Sequence, residues 1–193
     1  MKHRKPHTAK SKLSPARKEA IYALPLSQQF RIVHIDEGSG FAVFQHVLVD
    51  TEANDYVQVL AVAKAYARET HCAINPVIVG REPVGRAKIF PDITDLANPD
   101  LTTEKYGYVD VKSPLNKGNI VSNANHASRQ HAMVAITDLM LGEHLQHKRI
   151  MQVTAKIFSA QNTNHKGQPN YTQDQVHWFV NGKLLKYNRS EMN

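Results

Sequence analysis

The chain has 193 residues, 41% of them hydrophobic, enough for one domain with a sizeable core and a short extension. Its single cysteine, Cys72, excludes an internal disulfide and any paired-cysteine zinc site, which fits a reducing compartment. The net charge of +7 is a property of the first 20 residues, which hold seven Lys or Arg against one acid, Glu19; the remainder is close to neutral.

Residues 1–13 combine that charge with Pro6 and polar side chains, and predict a disordered basic tail ahead of a single domain over 14–193. Such a tail attracts a phosphate backbone without reading its sequence. No hydrophobic segment follows it, as a signal peptide requires, and no apolar run approaches the roughly 20 residues of a membrane span. The expectation is a protein with no membrane partner that acts in the cytoplasm.

Ser14 and Pro15 start a short helix as N-cap and first helical residue. Phe30–Ile35 and Phe41–Val49 read as strands joined through Asp36-Glu-Gly-Ser-Gly40, forming a hairpin. Asp50 or Thr51 caps a long helix to about Glu69, in which Val59, Leu60, Val62, Ala63, Tyr66 and Ala67 make one apolar stripe. Cys72–Val79 is a strand interrupted by Pro76. Residues 80–105 carry Pro83, Pro91 and Pro99 with no periodicity, and long connections of this kind are usually functional or mobile.

Tyr106-Gly-Tyr-Val-Asp110-Val-Lys112-Ser113 is rich in β-formers and closed by Pro114, so it reads as a strand with a defined end. Alternation puts Tyr106, Tyr108, Asp110 and Lys112 on one face, Val109 and Val111 on the other. Asn119 caps a helix to about His131 that turns Ile120, Ala124 and Ala127 inward and Asn123, His126 and Gln130 outward. A strand to Thr137 completes a β-α-β unit, expected to be right-handed. Gly142–Phe158 predicts a helix with Leu145, Ile150, Val153 and Ile157 inside, and Gln161–Thr172 a polar loop. Asn181-Gly182 between two apolar runs predicts a closing hairpin, Val176–Tyr187, with Trp178 in the core. The fold class is therefore α/β, a mixed central sheet flanked by helices, with the β-α-β crossover at its centre.

An Asp and a Lys on one strand face are by themselves a common and nearly neutral ion pair. The wider pattern says more: Pro99-Asp100, then Asp110-Val-Lys112-Ser113-Pro114, then Asn119-Ile120 and Ala127 with Gln130-His131-Ala132 on the following helix. It resembles the active-site signature of the PD-(D/E)xK nucleases. The longer string resembles the C-terminal tRNA-nuclease domains of contact-dependent growth inhibition toxins of the CdiA type, over roughly residues 52–189 and most sharply over 99–137.

The resemblance implies Asp100, Asp110, Lys112 and Gln130 as catalytic residues, with Asp100, Asp110 and a helical acid, taken here as Glu52, holding Mg²⁺ or another hard divalent cation. Ser113, Asn123, His126 and Tyr108 are the expected substrate contacts. Chemically, a cation activates water and neutralises charge, Lys112 orients or deprotonates that water, and Gln130 orients one of them. The implied partners are RNA, specifically tRNA, or another nucleic acid, and a neutralising immunity protein. With Met1 and no delivery module, the chain reads as a free-standing or excised form of a toxin otherwise delivered within a secreted polypeptide.

Other features offer alternatives. His144 and His147 lie one turn apart on the expected helix but lack the HExxH order, so an exposed helix face is the simpler reading. His177 reads as a surface strand residue, or as the general base of a metal-independent ribonuclease of the barnase–EndoU–colicin–RelE type. Lys183, Lys186 and Arg189 make the closing hairpin basic, suited to RNA backbone, and Tyr106 and Tyr108 can stack on bases. A nucleic-acid-binding protein without catalysis is the remaining alternative.

Overall fold

A computed structural model describes residues 16, 20, 23, 30–36, 41–46, 56–70, 77–79, 99–103 and 105–192. The expected tail over residues 1–13, the Ser14 cap and the Glu52 ligand lie outside the described residues.

Among the described residues, eight strands join in one sheet whose spatial order follows the chain. They are β1 (Phe30–Asp36), β2 (Phe41–His46), β3 (Val77–Val79), β4 (Leu101–Thr103), β5 (Gly107–Lys112), β6 (Met133–Thr137), β7 (Gln175–Val180) and β8 (Lys183–Asn188). Pairing is parallel between β2 and β3, β5 and β6, and β6 and β7, and antiparallel elsewhere. Parallel neighbours need a crossover, and a helix lies in each: α1 (Tyr56–Thr70), α2 (Ile120–Arg129) and α3 (His147–Phe158). The fold is α/β, with a mixed sheet flanked by helices, as the alternation of strand and helix patterns predicts.

The two faces are covered by different helices. Val59, Val62, Ala63, Tyr66 and Ala67 of α1 pack on Val109, Val111, Met133, Ala135 and Phe179. On the other face, Ile120, Ala124 and Ala127 of α2 and Ile150, Val153 and Ile157 of α3 pack on Val134, Ile136, Val176, Trp178 and Val180. Because β6 is covered on both sides, all five of its residues are buried, which explains its unbroken apolar run. Trp178 is fully buried, and its indole N–H donates to Thr154 on α3 at 3.0 Å.

The closing hairpin forms as expected, with Asn181 and Gly182 both at positive φ (49° and 72°), the backbone its tight turn requires. Three expectations need correction. The helix expected from Gly142 begins at His147, because Gly142 takes φ 71° and the Leu145 N–H bonds to the Asp138 carboxylate. His144 and His147 therefore do not share a helix face. Asn119 precedes α2 without a side-chain cap, while Asn116, three residues earlier, accepts from the Gly118 N–H and caps the single turn Lys117–Asn119. Tyr106 does not share the face of Asp110. Gly107 at φ 67° breaks the alternation, and the Tyr106 ring packs against Tyr66 and His177 on the α1 side, with centroids 5.6 and 4.9 Å away.

Candidate functional site

The site is built at the carboxyl end of β5, where the chain passes from a buried strand into the loop before α2. Val109 and Val111 face α1, so alternation turns Asp110 and Lys112 toward the α2 side. Asp110 is 2% exposed and Asp100 7%. Asp100 precedes β4, which pairs antiparallel with β5, and its Oδ2 accepts the Val111 N–H at 2.9 Å. That bond fixes Asp100 beside the strand that carries Asp110, and the two carboxyls lie within hydrogen-bonding reach. Lys112 Nζ stands 2.6 Å from Asp110 Oδ2.

The electrostatics are unbalanced. Burial pushes the Asp110 carboxyl well above its usual range, the neighbouring Asp100 pushes the same way, and Lys112 only partly offsets both. Asp110 Oδ2 meets Lys112 as a close ion pair but without the alignment of a hydrogen bond, and it is one of the buried oxygens left without one. Two buried carboxylates side by side are what a hard cation coordinates. Asp100 and Asp110 suit such an ion, whose charge would offset the repulsion that adds to burial in raising Asp110. Among the described residues no group of three or more His, Cys, Asp or Glu side chains gathers at one point.

α2 supplies the opposite wall. His126 lies close enough to Lys112 to feel its charge: burial lowers the imidazole pKa first, and the positive charges of Lys112 and Arg129 lower it further. Gln130 Nε2 sits 3.1 Å from His126 Nδ1, so its amide is joined to the imidazole one turn back. Helical spacing puts Asn123 on the same edge as His126 and Gln130. The structure therefore groups Asp100, Asp110 and Lys112 at one strand end, with His126 near enough to Lys112 to feel its charge and Gln130 bonded to His126. Tyr108 shares the Asp110 face of β5 by alternation and is half-buried. Ser113 is half-buried, with its Oγ enclosed and without a hydrogen bond.

Several expected contacts have other tasks. His177 is fully buried, contrary to a surface reading, and bonds Tyr66. Arg189 donates to the carbonyls of Phe158, Tyr171 and Gln173 at 3.1, 2.7 and 3.0 Å, so its guanidinium is engaged within the fold. Lys186 pairs with Glu69 and reaches the Tyr106 hydroxyl at 3.2 Å.

Asp138 escaped the motif reading. It directly follows β6, is 2% exposed, and its Oδ2 accepts from Leu145 N–H at 3.0 Å and meets His144 Nδ1 at 3.1 Å. The available signal was an acid placed immediately after an apolar parallel strand, at the sheet end where open α/β folds collect their chemistry.

Neither protein-family models, nor curated proteins, nor solved structures match this chain. The site must be read from its own geometry.

Proposed function

We propose that this protein is an endonuclease that hydrolyses phosphodiester bonds in RNA, with assistance from a divalent cation. The observation that carries the reading is the convergence of two buried carboxylates, Asp100 and Asp110, with Lys112 at one strand end. A buried pair of like charges is destabilising unless something compensates it, and structural ion pairs rarely take this form. Perturbed acids of this kind mark functional sites.

In this reading Asp100 and Asp110 hold Mg²⁺ or a similar cation, with Glu52 as a further ligand. Such a cation lowers the pKa of bound water and neutralises charge on the phosphoryl group. Lys112, kept in place by Asp110, stabilises the negative charge that builds on the phosphoryl oxygens. With the Gln130 amide turned so that its oxygen accepts from Nδ1–H of His126, Nε2 is left free, and His126, its pKa lowered first by burial and then by the charges of Lys112 and Arg129, stays neutral at pH 7 and accepts a hydrogen bond or proton from the attacking water.

The RNA preference, tRNA as substrate class, the toxin role in a target cytoplasm and the immunity-protein partner come from the resemblance to growth-inhibition toxins. The basic first 20 residues add salt-sensitive attraction to any nucleic acid. The neutral His126 favours a second reading, metal-independent cleavage in which His126 and Lys112 alone manage the protons. One experiment tests both: incubation with total RNA and with plasmid DNA, in Mg²⁺ and in EDTA. RNA cleavage lost in EDTA is expected. Cleavage unaffected by EDTA selects the second reading, and no cleavage of either polymer removes both.

A further inference from the structure

Phosphodiester hydrolysis displaces an oxygen in line with the attacking water, so the group that helps the leaving oxygen must stand across from the one that helps the nucleophile. In the reading above Asp110 and His126 serve the attacking water and Lys112 the phosphoryl oxygens, so none of them serves the leaving oxygen. A proton for the leaving oxygen has to come from another element.

The loop after β6 offers one. β6 runs parallel to β5, with Lys112 in register with Ile136, so Asp138 emerges at the same sheet end two residues later. Leu145, whose N–H bonds Asp138, belongs to the core on the α2 and α3 side, the side toward which Asp110 and Lys112 turn. The loop is tied to the segment after β5 by the Lys117–Glu143 ion pair at 2.6 Å, one residue before His144. Asp138 is almost fully buried, yet its Oδ1 has no hydrogen bond. Its Oδ2 meets Nδ1 of His144, whose side chain is 59% exposed. A buried carboxylate on Nδ1 of an exposed imidazole fixes the ring and leaves Nε2 facing outward.

We propose that His144, oriented by Asp138, is the proton donor to the leaving oxygen of the scissile phosphodiester; this rests on the phosphodiesterase reading. Water oxygen bonds to phosphorus, its proton passing to His126, as the bond from phosphorus to the leaving oxygen breaks. That oxygen takes the Nε2 proton and departs as a neutral hydroxyl, and the imidazole regains a proton from solvent. Asp138 does not touch the substrate and acts as a positioning residue.

The test compares two RNA oligonucleotides that differ at the scissile bond, one with the natural leaving oxygen and one with sulfur in its place. A thiolate departs without a proton, so the sulfur substrate does not need the acid. His144→Ala is expected to cleave the oxygen substrate about 10²-fold more slowly, with an unchanged melting temperature, and to cleave the sulfur substrate at the rate of the unaltered protein. Asp138→Asn is expected to show a smaller loss with the same sulfur rescue, which a merely structural defect would not show. Equal losses on both substrates, or no loss on either, overturn the proposal. Lys112→Ala separates the two levels: if it is inactive on both substrates while His144→Ala is fully active on both, only the proton-donor assignment falls. If the unaltered protein cleaves neither substrate, the phosphodiesterase reading falls and the assignment with it.

Discussion

The Tyr66 hydroxyl meets Nδ1 of His177 at 2.7 Å, and neither residue is exposed. Gln175 Oε1 lies 3.1 Å from Nε2 of the same ring. The ring N–H therefore donates to Gln175 while Nδ1 accepts from Tyr66, and the imidazole is held neutral between α1 and the sheet. Burial lowers its pKa to about 3, and the charge of Lys186 works in the same direction.

This network predicts acid sensitivity. An unfolded histidine titrates near pH 6.5. Below that value the unfolded chain binds a proton that the folded chain refuses until about pH 3. The stability that depends on neutral His177 is thus fully present above pH 6.5 and is lost between pH 6.5 and about 3, at roughly 1.4 kcal/mol per pH unit. Urea unfolding at pH 7.5, 6 and 5 measures it. His177→Gln should be less stable at pH 7.5 but flatter toward acid, and an unchanged slope in that variant refutes the assignment.

Arg189 illustrates a cation whose sequence context misleads. Its guanidinium joins three backbone carbonyls from the end of α3 and the loop before β7, and lies 4.7 Å from the Phe158 ring centroid. Arg189→Ala should lower stability by about 3 kcal/mol, since three acceptors lose a charged donor. Arg189→Lys should recover little of it, because a single ammonium cannot reproduce the fork. RNA affinity measured well below the melting temperature should not change; a large loss there, with stability intact, would return Arg189 to the binding surface.

The sheet and its helices were legible because period-2 and period-3.6 patterns are local and strong, as in α1, β6 and the Asn181-Gly182 hairpin. The nearness of Asp100 to Asp110 and Lys112 was legible as a spaced pattern. The face of Tyr106 was not, since a single residue at positive φ, Gly107, reverses it without altering the hydrophobic pattern. Burial of His177 was also hidden: a histidine beside Trp178 alternates away from one core, and only the presence of α1 on the second face reveals another. Asp138 and His144 are joined by a loop whose shape depends on Gly142, and helix periodicity through Leu145 masked it.

The basic N-terminal stretch carries a prediction independent of the site. Removing residues 1–13 takes away five Lys or Arg side chains. Binding to an uncleavable RNA should weaken, and the plot of log affinity against log salt should become shallower by about 0.7 for each cation that contacts a single-stranded phosphate. Fluorescence anisotropy at several salt concentrations measures the slope. The same slope in both proteins shows that the tail does not engage the backbone.

Asp110 and Lys112 should separate function from stability in opposite ways. The folded pKa of Asp110 is raised by burial and by Asp100, so holding its charge at neutral pH opposes folding. Its unfolded value is near 3.9; as pH falls through the raised folded value, protonation relieves the strain and this group's contribution turns toward stability. Asp110→Asn removes the charge outright. It should melt at or above the temperature of the unaltered protein at pH 7, while losing both cation affinity and cleavage. Lys112→Ala leaves Asp110 charged and without its ion pair, so it should melt lower. It should keep its affinity for Mg²⁺ or Mn²⁺ and lose turnover by a factor of about 10² or more. Calorimetric titration of the cation beside thermal melts distinguishes these outcomes. If both variants cleave RNA at the original rate, the pair is a structural salt bridge and the chemistry lies elsewhere. If Asp110→Asn is strongly destabilised, the buried carboxylate is holding the fold together, and the reading of it as a cation ligand fails.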